Sequence, residues 1–313
     1  MVVVSYESAG VLDACLGSLE RAAPVHGVEI RVVDNGSADP SAAIAERRVG
    51  AARVVRRARN DGFAAGVNAG LDALAPLGVP CYAVLNPDTI TPPGALDRLA
   101  DVLGSDDRAA LVGPRVLSPD GVPESTVGRF PTLDRERAHT WWLDQLLGRE
   151  GRRAPFPRHT AEVDWVSGCA WMLCAIARRE TGPLDEGYFM YWEDVDYCRR
   201  LRDRGWKVLA TPDVTIEHGL GRGSQRTGTV PADGGIALLR YFAKFAPDVP
   251  EETVLALLQR GWSIRRTWRA LRAAFGDRAS AAAVRRYTLA IDAAQRHRGG
   301  MAGVSASSPA QGD

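Results

Sequence analysis

At 313 residues, with 45% apolar and 25% charged side chains, the chain has the composition of an ordinary soluble globular protein and room for one large domain or two small ones. A net charge of +1 gives no electrostatic footprint for nucleic acid, and no apolar run approaches the roughly 18 residues of a membrane-spanning helix. Five cysteines (Cys15, Cys81, Cys169, Cys174 and Cys198) lie in apolar runs without a CxxC pair, which reads as buried thiols in a reducing, cytoplasmic compartment rather than disulfides or a zinc site.

The N-terminus opens directly on Val2-Val3-Val4-Ser5-Tyr6, a short buried strand with no basic region before it, so no signal peptide is expected. Residues 9–22 carry Val11, Leu12, Cys15, Leu16 and Leu19 on one helical face. A strand over 29–34, a helix from Asp39-Pro40 to about Arg48, a strand over 52–56 and a helix over 63–75 follow. Residues 81–86 form a fourth strand and 94–103 another helix. Strands alternating with helices of this length predict βαβ units and a mostly parallel sheet, which binds ligands at the carboxyl ends of its strands. Those ends are Ser5-Tyr6, Asp34-Asn35, Arg59-Asn60 and Asn86-Pro87-Asp88.

The second half changes character. Residues 110–165 read as irregular, with one helix near 134–148 that carries Trp141 and Trp142. Cys169 to Ile176 reads as a buried strand, and a helix follows Glu193. Residues 207–211 and 214–218 are strand-like and lead into a Gly-rich loop, 219–228. Helices are expected over 235–246, 251–275 and 279–298, with a disordered tail over 299–313. On the 251–275 helix Val254, Leu257, Gly261, Ile264, Trp268, Leu271 and Phe275 form a stripe flanked by Arg260, Arg265, Arg266, Arg269 and Arg272, with no acid between Glu252 and Asp277. This suits either a helix packed on the domain with a solvated basic face or one lying on an anionic membrane.

Several nucleotide motifs are absent. The turn after the first strand is not G-x-G-x-x-G, and there is neither a G-x-x-x-x-G-K-[ST] loop nor a G-x-S-x-G elbow. What stands out is Phe189-Met190-Tyr191-Trp192-Glu193-Asp194-Val195-Asp196, where three carboxylates follow an apolar approach at a helix N-terminus. A carboxylate at the edge of an apolar wall can have a raised pKa and act as a base; an acidic surface turn is the plainer reading. Asp34, at a strand end before Asn35-Gly36-Ser37, can accept hydrogen bonds from a base or ribose, or cap a helix. The Gly-rich stretch Asn60 to Gly70 admits a diphosphate or another backbone. Asp88 can hold a hard divalent cation, and His218 can be a second ligand, a pair suited to Mg²⁺ or Mn²⁺.

Taken in order, Val3-Val4-Ser5-Tyr6, Val33-Asp34-Asn35-Gly36-Ser37, Asn60 with Gly62 to Asn68, Leu85-Asn86-Pro87-Asp88-Thr89, Ser167-Gly168 and Tyr188 to Asp196 resemble inverting family-2 glycosyltransferases of the GT-A fold, especially the bacterial rhamnosyltransferase-like branch. The resemblance covers about residues 1–225. It implies an α/β GT-A catalytic domain over 1–230, made of a nucleotide-sugar half (1–105) and an acceptor half (106–230), with a helical C-terminal extension over 231–298. It implies that Ser5, Tyr6 and Glu7 line the nucleoside pocket, Asp34 contacts the base, and Asn60 and Gly62 approach the diphosphate. Asn86 becomes a sugar or ribose contact, and Asp88 with His218 the metal ligands. Asn86-Pro87-Asp88 departs from the family's more usual D-x-D. Asp194 becomes the general base with Glu193 its partner, and Trp165, Ser167, Gly168 and Trp192 face the acceptor.

The implied reaction moves a sugar, with rhamnose from dTDP-rhamnose the leading choice over a UDP-sugar, to a hydroxyl of a glycan or lipid-linked acceptor. A small natural product is the alternative acceptor. A peripheral contact at the inner membrane face through 251–275 fits the lipid-linked case. A sugar-1-phosphate nucleotidyltransferase is disfavoured because Tyr6-Glu7-Ser8-Ala9-Gly10 has no basic residue, and a non-catalytic scaffold subunit because Asp88, Glu193 and Asp194 are intact.

Overall fold

The computed structural model describes residues 1–22, 27–140, 154–219 and 230–305. The chain forms two compact units, one of residues 1–130 and 152–225, the other of 131–151 and 226–313.

The first unit is built on one nine-stranded sheet. Its strands are β1 (Val2–Ser5), β2 (Arg31–Asp34), β3 (Val54–Arg56), β4 (Cys81–Leu85), β5 (Thr89–Ile90), β6 (Ala109–Leu117), β8 (Ala161–Glu162), β10 (Ala170–Cys174) and β11 (Lys207–His218). The order is β3-β2-β1-β4-β10-β6-β11-β5, with β8 beside β11. β7 (Val127–Gly128) and β9 (Trp165–Val166) make a separate antiparallel pair. β1 to β4 are parallel, as the βαβ pattern predicts, and β6 and β11 share their direction. β10 is inserted antiparallel between β4 and β6, while β5 and β8 run against β11. The antiparallel β10 matters for function, because it brings the start of one strand to the rim where its neighbours end.

Alternation along the strands sends side chains to two cores. Val3, Val32, Leu85 and Met172 pack with Leu12, Leu16, Ile44, Leu96 and Leu99 on one face. Val2, Val4, Val33, Val84 and Trp171 pack with Val67, Leu71, Tyr197 and Leu201 on the other. The helices behind these residues are α1 (Leu12–Arg21), α2 (Ser41–Val49), α3 (Phe63–Leu74), α4 (Ala95–Gly104) and α7 (Glu193–Asp203); a short α6 (Ala175–Thr181) follows β10. A Cβ on Gly66 or Gly70 would stand 2.5 or 2.4 Å from the methyls of Val4 or Val2, so the small residues of α3 serve close helix–sheet packing.

Two features differ from the expectations. Residues 110–117, the start of the stretch read as irregular, belong to the long central strand β6. Gly113 and Pro114 hide it: Gly113 is needed because a Cβ there would meet Val166 at 2.8 Å, and Pro114 sits where the β11 register shifts. The two strand-like pieces at 207–211 and 214–218 are one bulged strand, β11. Cys15, Cys169 and Cys198 are buried as expected, whereas Cys81 and Cys174 are only half-buried.

In the second unit, α5 (Leu133–Thr140) packs with α8 (Val230–Phe245), α9 (Glu251–Ala274) and α10 (Arg278–Ser305). Arg265 donates to the His139 carbonyl at 2.8 Å, and the Thr140 hydroxyl to the Leu257 carbonyl at 3.4 Å. The helix expected near 134–148 in the catalytic half thus joins the C-terminal helices over its described part; Trp141 and Trp142 lie outside the described residues. Leu238, Tyr241, Phe242, Val254, Leu255, Trp262, Ala290 and Ala294 are buried. α10 continues past Gly299, where a disordered tail was expected, as far as Ser305. Residues 220–228 of the Gly-rich loop and 306–313 of the tail lie outside the described residues.

Candidate active site

The carboxyl ends of β1, β2, β4 and β11 and the start of β10 meet at one rim of the sheet, and three clusters of polar side chains stand there. The first surrounds the ends of β1 and β2. Ser5 is fully buried and Asp34 is 4% exposed. Asp34 accepts the Ser37 N–H through Oδ2 at 3.3 Å, while its Oδ1, the Asn35 Oδ1 and the Ser5 hydroxyl are buried without a hydrogen-bond partner. Buried polar atoms are normally satisfied, and three orphans stand together at this rim. Tyr6 is exposed, and Glu7, in the left-handed region at φ 50°, ties this loop to its neighbour by accepting the Ala38 N–H at 2.7 Å.

Asn60 and Gly62 have structural work beside this cluster. The Asn60 Oδ1 accepts the Gly62 N–H at 3.0 Å, and the Asn35 amide donates to the Gly62 carbonyl at 2.9 Å. Gly62 lies at φ 98°, and a Cβ there would come within 2.3 Å of the Phe189 carbonyl oxygen. Phe63 N–H donates to that same oxygen at 3.1 Å. Of the two readings of this turn, close approach by another backbone is the one the geometry carries. The backbone belongs to the segment leading into the acidic helix.

The second cluster lies where β4 and β11 end. His218 Nε2 is 3.2 Å from the Asn86 amide nitrogen and 3.5 Å from Asp88 Oδ1, and Nδ1 is 3.0 Å from Glu124 Oε2. The Gly219 N–H donates to the Asp88 carbonyl at 3.1 Å, fixing the end of β11 against this loop. Burial raises the Asp88 carboxyl above the usual range against the pull of His218, and Glu124 adds to the rise. Glu124 was missed in the sequence because the strand that delivers it, β6, was not legible. Among the described residues no group of three His, Cys, Asp or Glu side chains forms a metal cage.

The third cluster is the start of α7. Tyr191 and Trp192 both adopt left-handed backbone, at φ 67° and 72°, a strained approach for bulky residues. Trp192 is half-buried. Glu193 is 5% exposed and its Oε2 has no partner. Burial raises it well above the ordinary glutamate range, and the charge on Asp194 adds to the rise. Asp194 is also raised by burial, but two backbone groups oppose it: Oδ2 accepts the Gly168 N–H at 2.9 Å and Oδ1 its neighbour Val195 N–H at 2.8 Å. Both carboxyls are thus raised by burial, Glu193 further than Asp194. Asp196, the third carboxylate of the run, is fully buried in an ion pair with Arg200 at 2.7 Å and plays a packing role.

β10 joins the second and third clusters. Asn86 N–H donates to the Cys169 carbonyl at 2.8 Å, one residue from the Gly168 amide that holds Asp194. Burial pushes the Cys169 thiol up to about 12, and the nearby charges of Glu124, Asp194 and Asp88 act in the same direction. The Ser167 N–H donates to the Thr126 carbonyl at 2.8 Å, and the Trp165 indole to the Arg129 carbonyl at 3.1 Å.

A sheet with this mixed strand order and an acidic rim is the architecture of GT-A glycosyltransferases. The chain is similar to a mannosyltransferase, PcManGT from Pyrobaculum calidifontis, solved with GDP-Man and Mn²⁺, at TM-score 0.55 and 14% identity over 94% of this chain and 85% of that one. It is similar to GalNAc-T7, solved with UDP, GalNAc and Mn²⁺, at TM-score 0.52 and 13% identity over 83% of this chain and 54% of that one. Residues 1–180 match the model of Glycosyl transferase family 2, and the chain belongs to that family; it is a glycosyltransferase. Among curated relatives it is 30% identical over 244 residues to the N-acetylglucosaminyl-diphospho-decaprenol L-rhamnosyltransferase of Mycobacterium tuberculosis, spanning 74% of this chain and 78% of that one. It is 28% identical over 145 residues to the low-salt glycan biosynthesis hexosyltransferase Agl10 of Haloferax volcanii, spanning 46% of this chain and 44% of that one.

Proposed function

We propose that this enzyme transfers rhamnose from dTDP-rhamnose to a hydroxyl of a lipid-linked glycan, in one inverting displacement with Asp194 as general base. The observation that carries the chemistry is the Asp194 carboxyl, held by two backbone amides at the ligand rim beside the buried Glu193. The relationship to the mycobacterial rhamnosyltransferase supports the sugar and acceptor class.

The roles follow from charge. An acceptor hydroxyl is far too weak an acid to ionise near neutrality, so it must lose its proton as its oxygen attacks the anomeric carbon. Asp194 takes that proton. The bond from that carbon to the dTDP oxygen breaks, and the diphosphate leaves with the electron pair. The unpartnered atoms of Ser5, Asp34 and Asn35 support a nucleoside site at the ends of β1 and β2. Tyr6 and Glu7 flank it, and Asn60 and Gly62 shape its wall. Trp165, Ser167, Gly168 and Trp192 are assigned to the acceptor side.

The second cluster fits a divalent cation. A partly desolvated carboxylate and an imidazole nitrogen 3.5 Å apart supply an oxygen and a nitrogen donor, suited to Mg²⁺ or Mn²⁺ with further positions filled by diphosphate oxygens and water. When bound, the cation would stabilise charge on the departing diphosphate. Asp88 and His218 would hold it, and the Asn86 amide would face the donor.

A lipid-linked acceptor also accounts for the second unit. Trp268, Leu271 and Phe275 are exposed, Phe275 at 91%. Trp268 and Leu271 lie three residues apart on α9 and Phe275 follows at its end, among Arg265, Arg269 and Arg272. An apolar stripe set in arginines suits the surface of an anionic membrane at the cytoplasmic face. No helix among the described residues is long and apolar enough to cross a membrane. The direct test supplies dTDP-rhamnose, UDP-glucose and GDP-mannose, each with a polyprenyl-diphosphate-linked N-acetylglucosamine. Rhamnosyl product from dTDP-rhamnose alone is expected; transfer from another donor, or only to soluble acceptors, would overturn the assignment.

A further inference from the structure

Glu124 is unassigned by the sequence motifs, yet the fold goes to some length to deliver it. β6 runs on into a tight hairpin. Ser118 N–H donates to the Val122 carbonyl at 2.9 Å, Gly121 occupies the left-handed region at φ 75°, and Glu124 N–H returns to the Val116 carbonyl at 2.9 Å. Leu117, at the end of β6, lies opposite Glu217 of β11. The residue after Glu217 is His218, so the hairpin carries Glu124 back to the imidazole.

The contacts divide the two ring nitrogens. Nδ1 faces a carboxylate oxygen at 3.0 Å, and an ionised carboxylate only accepts hydrogen bonds, so Nδ1 carries a hydrogen. Nε2 faces the Asn86 amide at 3.2 Å and Asp88 Oδ1 at 3.5 Å. We propose that Glu124 is a positioning residue: its carboxylate holds Nδ1 of His218 and so turns Nε2 into the space beside Asp88, where a divalent cation would bind. This rests on the reading of Asp88 and His218 as the metal ligands. Carboxylate partners of ligand histidines tune affinity in this way in general, at roughly 10–100-fold per partner.

The test uses the full chain with Mn²⁺ and dTDP as probes. Long-range ¹⁵N–¹H NMR of the metal-free protein reads the His218 tautomer, and calorimetry reads the Mn²⁺ affinity. The wild type should show Nδ1–H. Glu124→Ala should mix the tautomers and weaken Mn²⁺ by about 10–100-fold, while leaving the affinity for dTDP without metal unchanged. Glu124→Gln, whose amide oxygen can still accept from Nδ1, should keep the tautomer and most of the affinity. It also serves if the alanine variant does not fold. An Nε2–H tautomer in the wild type, or wild-type Mn²⁺ affinity in folded Glu124→Ala, overturns the proposal. Failure of the reading beneath it looks different: Mn²⁺ binding that survives Asp88→Ala and His218→Ala together would remove those residues as ligands, whatever the tautomer.

Discussion

Asp194→Asn is the substitution that separates catalysis from folding most cleanly. The carboxylate accepts the Gly168 N–H at 2.9 Å and the Val195 N–H at 2.8 Å. An amide has one oxygen, so one of those N–H groups must face an NH₂. Losing a hydrogen bond to a charged group costs about 1.5–3 kcal/mol. Against this, the change removes a partly desolvated charge next to Glu193 and relieves the repulsion that raises the glutamate. The two effects oppose each other, and the variant should stay folded with a melting temperature within a few degrees of wild type. Transfer should suffer much more, because general-base catalysis supplies roughly 10²–10⁴-fold and an amide cannot take the proton. The assay is rhamnosyl transfer from dTDP-rhamnose, with dTDP titrated into the same preparation. Expected is loss of kcat with dTDP affinity intact. A folded variant keeping more than about a tenth of wild-type kcat, far above what loss of a general base allows, would remove Asp194 as the base.

Three further outcomes follow from the same geometry. The native state keeps a proton on Glu193 that the unfolded chain releases above the ordinary glutamate pKa of about 4.3, so this residue makes stability fall as pH rises from there through its raised native value. Glu193→Gln should flatten that slope in urea denaturation between pH 5 and 8 and raise stability at pH 8; an unchanged slope would mean the site is not desolvated. Gly62→Ala puts a Cβ 2.3 Å from the Phe189 carbonyl at φ 98°, and should cost about 1–3 kcal/mol and lower kcat by displacing the approach to Glu193; a neutral result in thermal denaturation and turnover would show that the contact does not hold the acidic helix. Trp268→Ser with Phe275→Ser should weaken binding to phosphatidylglycerol vesicles at least tenfold while leaving transfer to a detergent-dispersed acceptor unchanged, since each buried aromatic is worth about 1.5–3 kcal/mol; wild-type vesicle binding in the double variant would refute the membrane contact.

The first third of the chain, residues 1–105, was legible because it obeys simple rules. Val2–Ser5, Arg31–Asp34, Phe63–Leu74 and Cys81–Leu85 carry continuous apolar runs or small-residue helical periods bounded by turn signals, and each falls within about two residues of its expected span. The polar residues after those strands meet because parallel strands all end at one rim. The stretch that follows, residues 106–230, was less legible. β6 contains Gly113 and Pro114, which locally argue against a strand and make sense only when Val166 and the β11 bulge are in place. Without β6 there was no reason to single out Glu124. Within Glu193-Asp194-Val195-Asp196 the residue types alone could not separate three carboxylates. Position on the helix did: Asp196 points into an ion pair with Arg200, Asp194 meets the Gly168 amide, and Glu193 is left buried without a partner for Oε2. The link between Gly62 and Phe189 joins segments far apart in the chain, and no local pattern reports it.

The anomeric configuration of the product tests the central claim most directly. A single displacement with Asp194 as base leaves no covalent sugar–enzyme intermediate, so NMR of the purified product should show the rhamnosyl linkage inverted relative to dTDP-rhamnose, formed by the wild type and absent with Asp194→Asn. A retained configuration, or the same inverted product at an undiminished rate from Asp194→Asn, would contradict it.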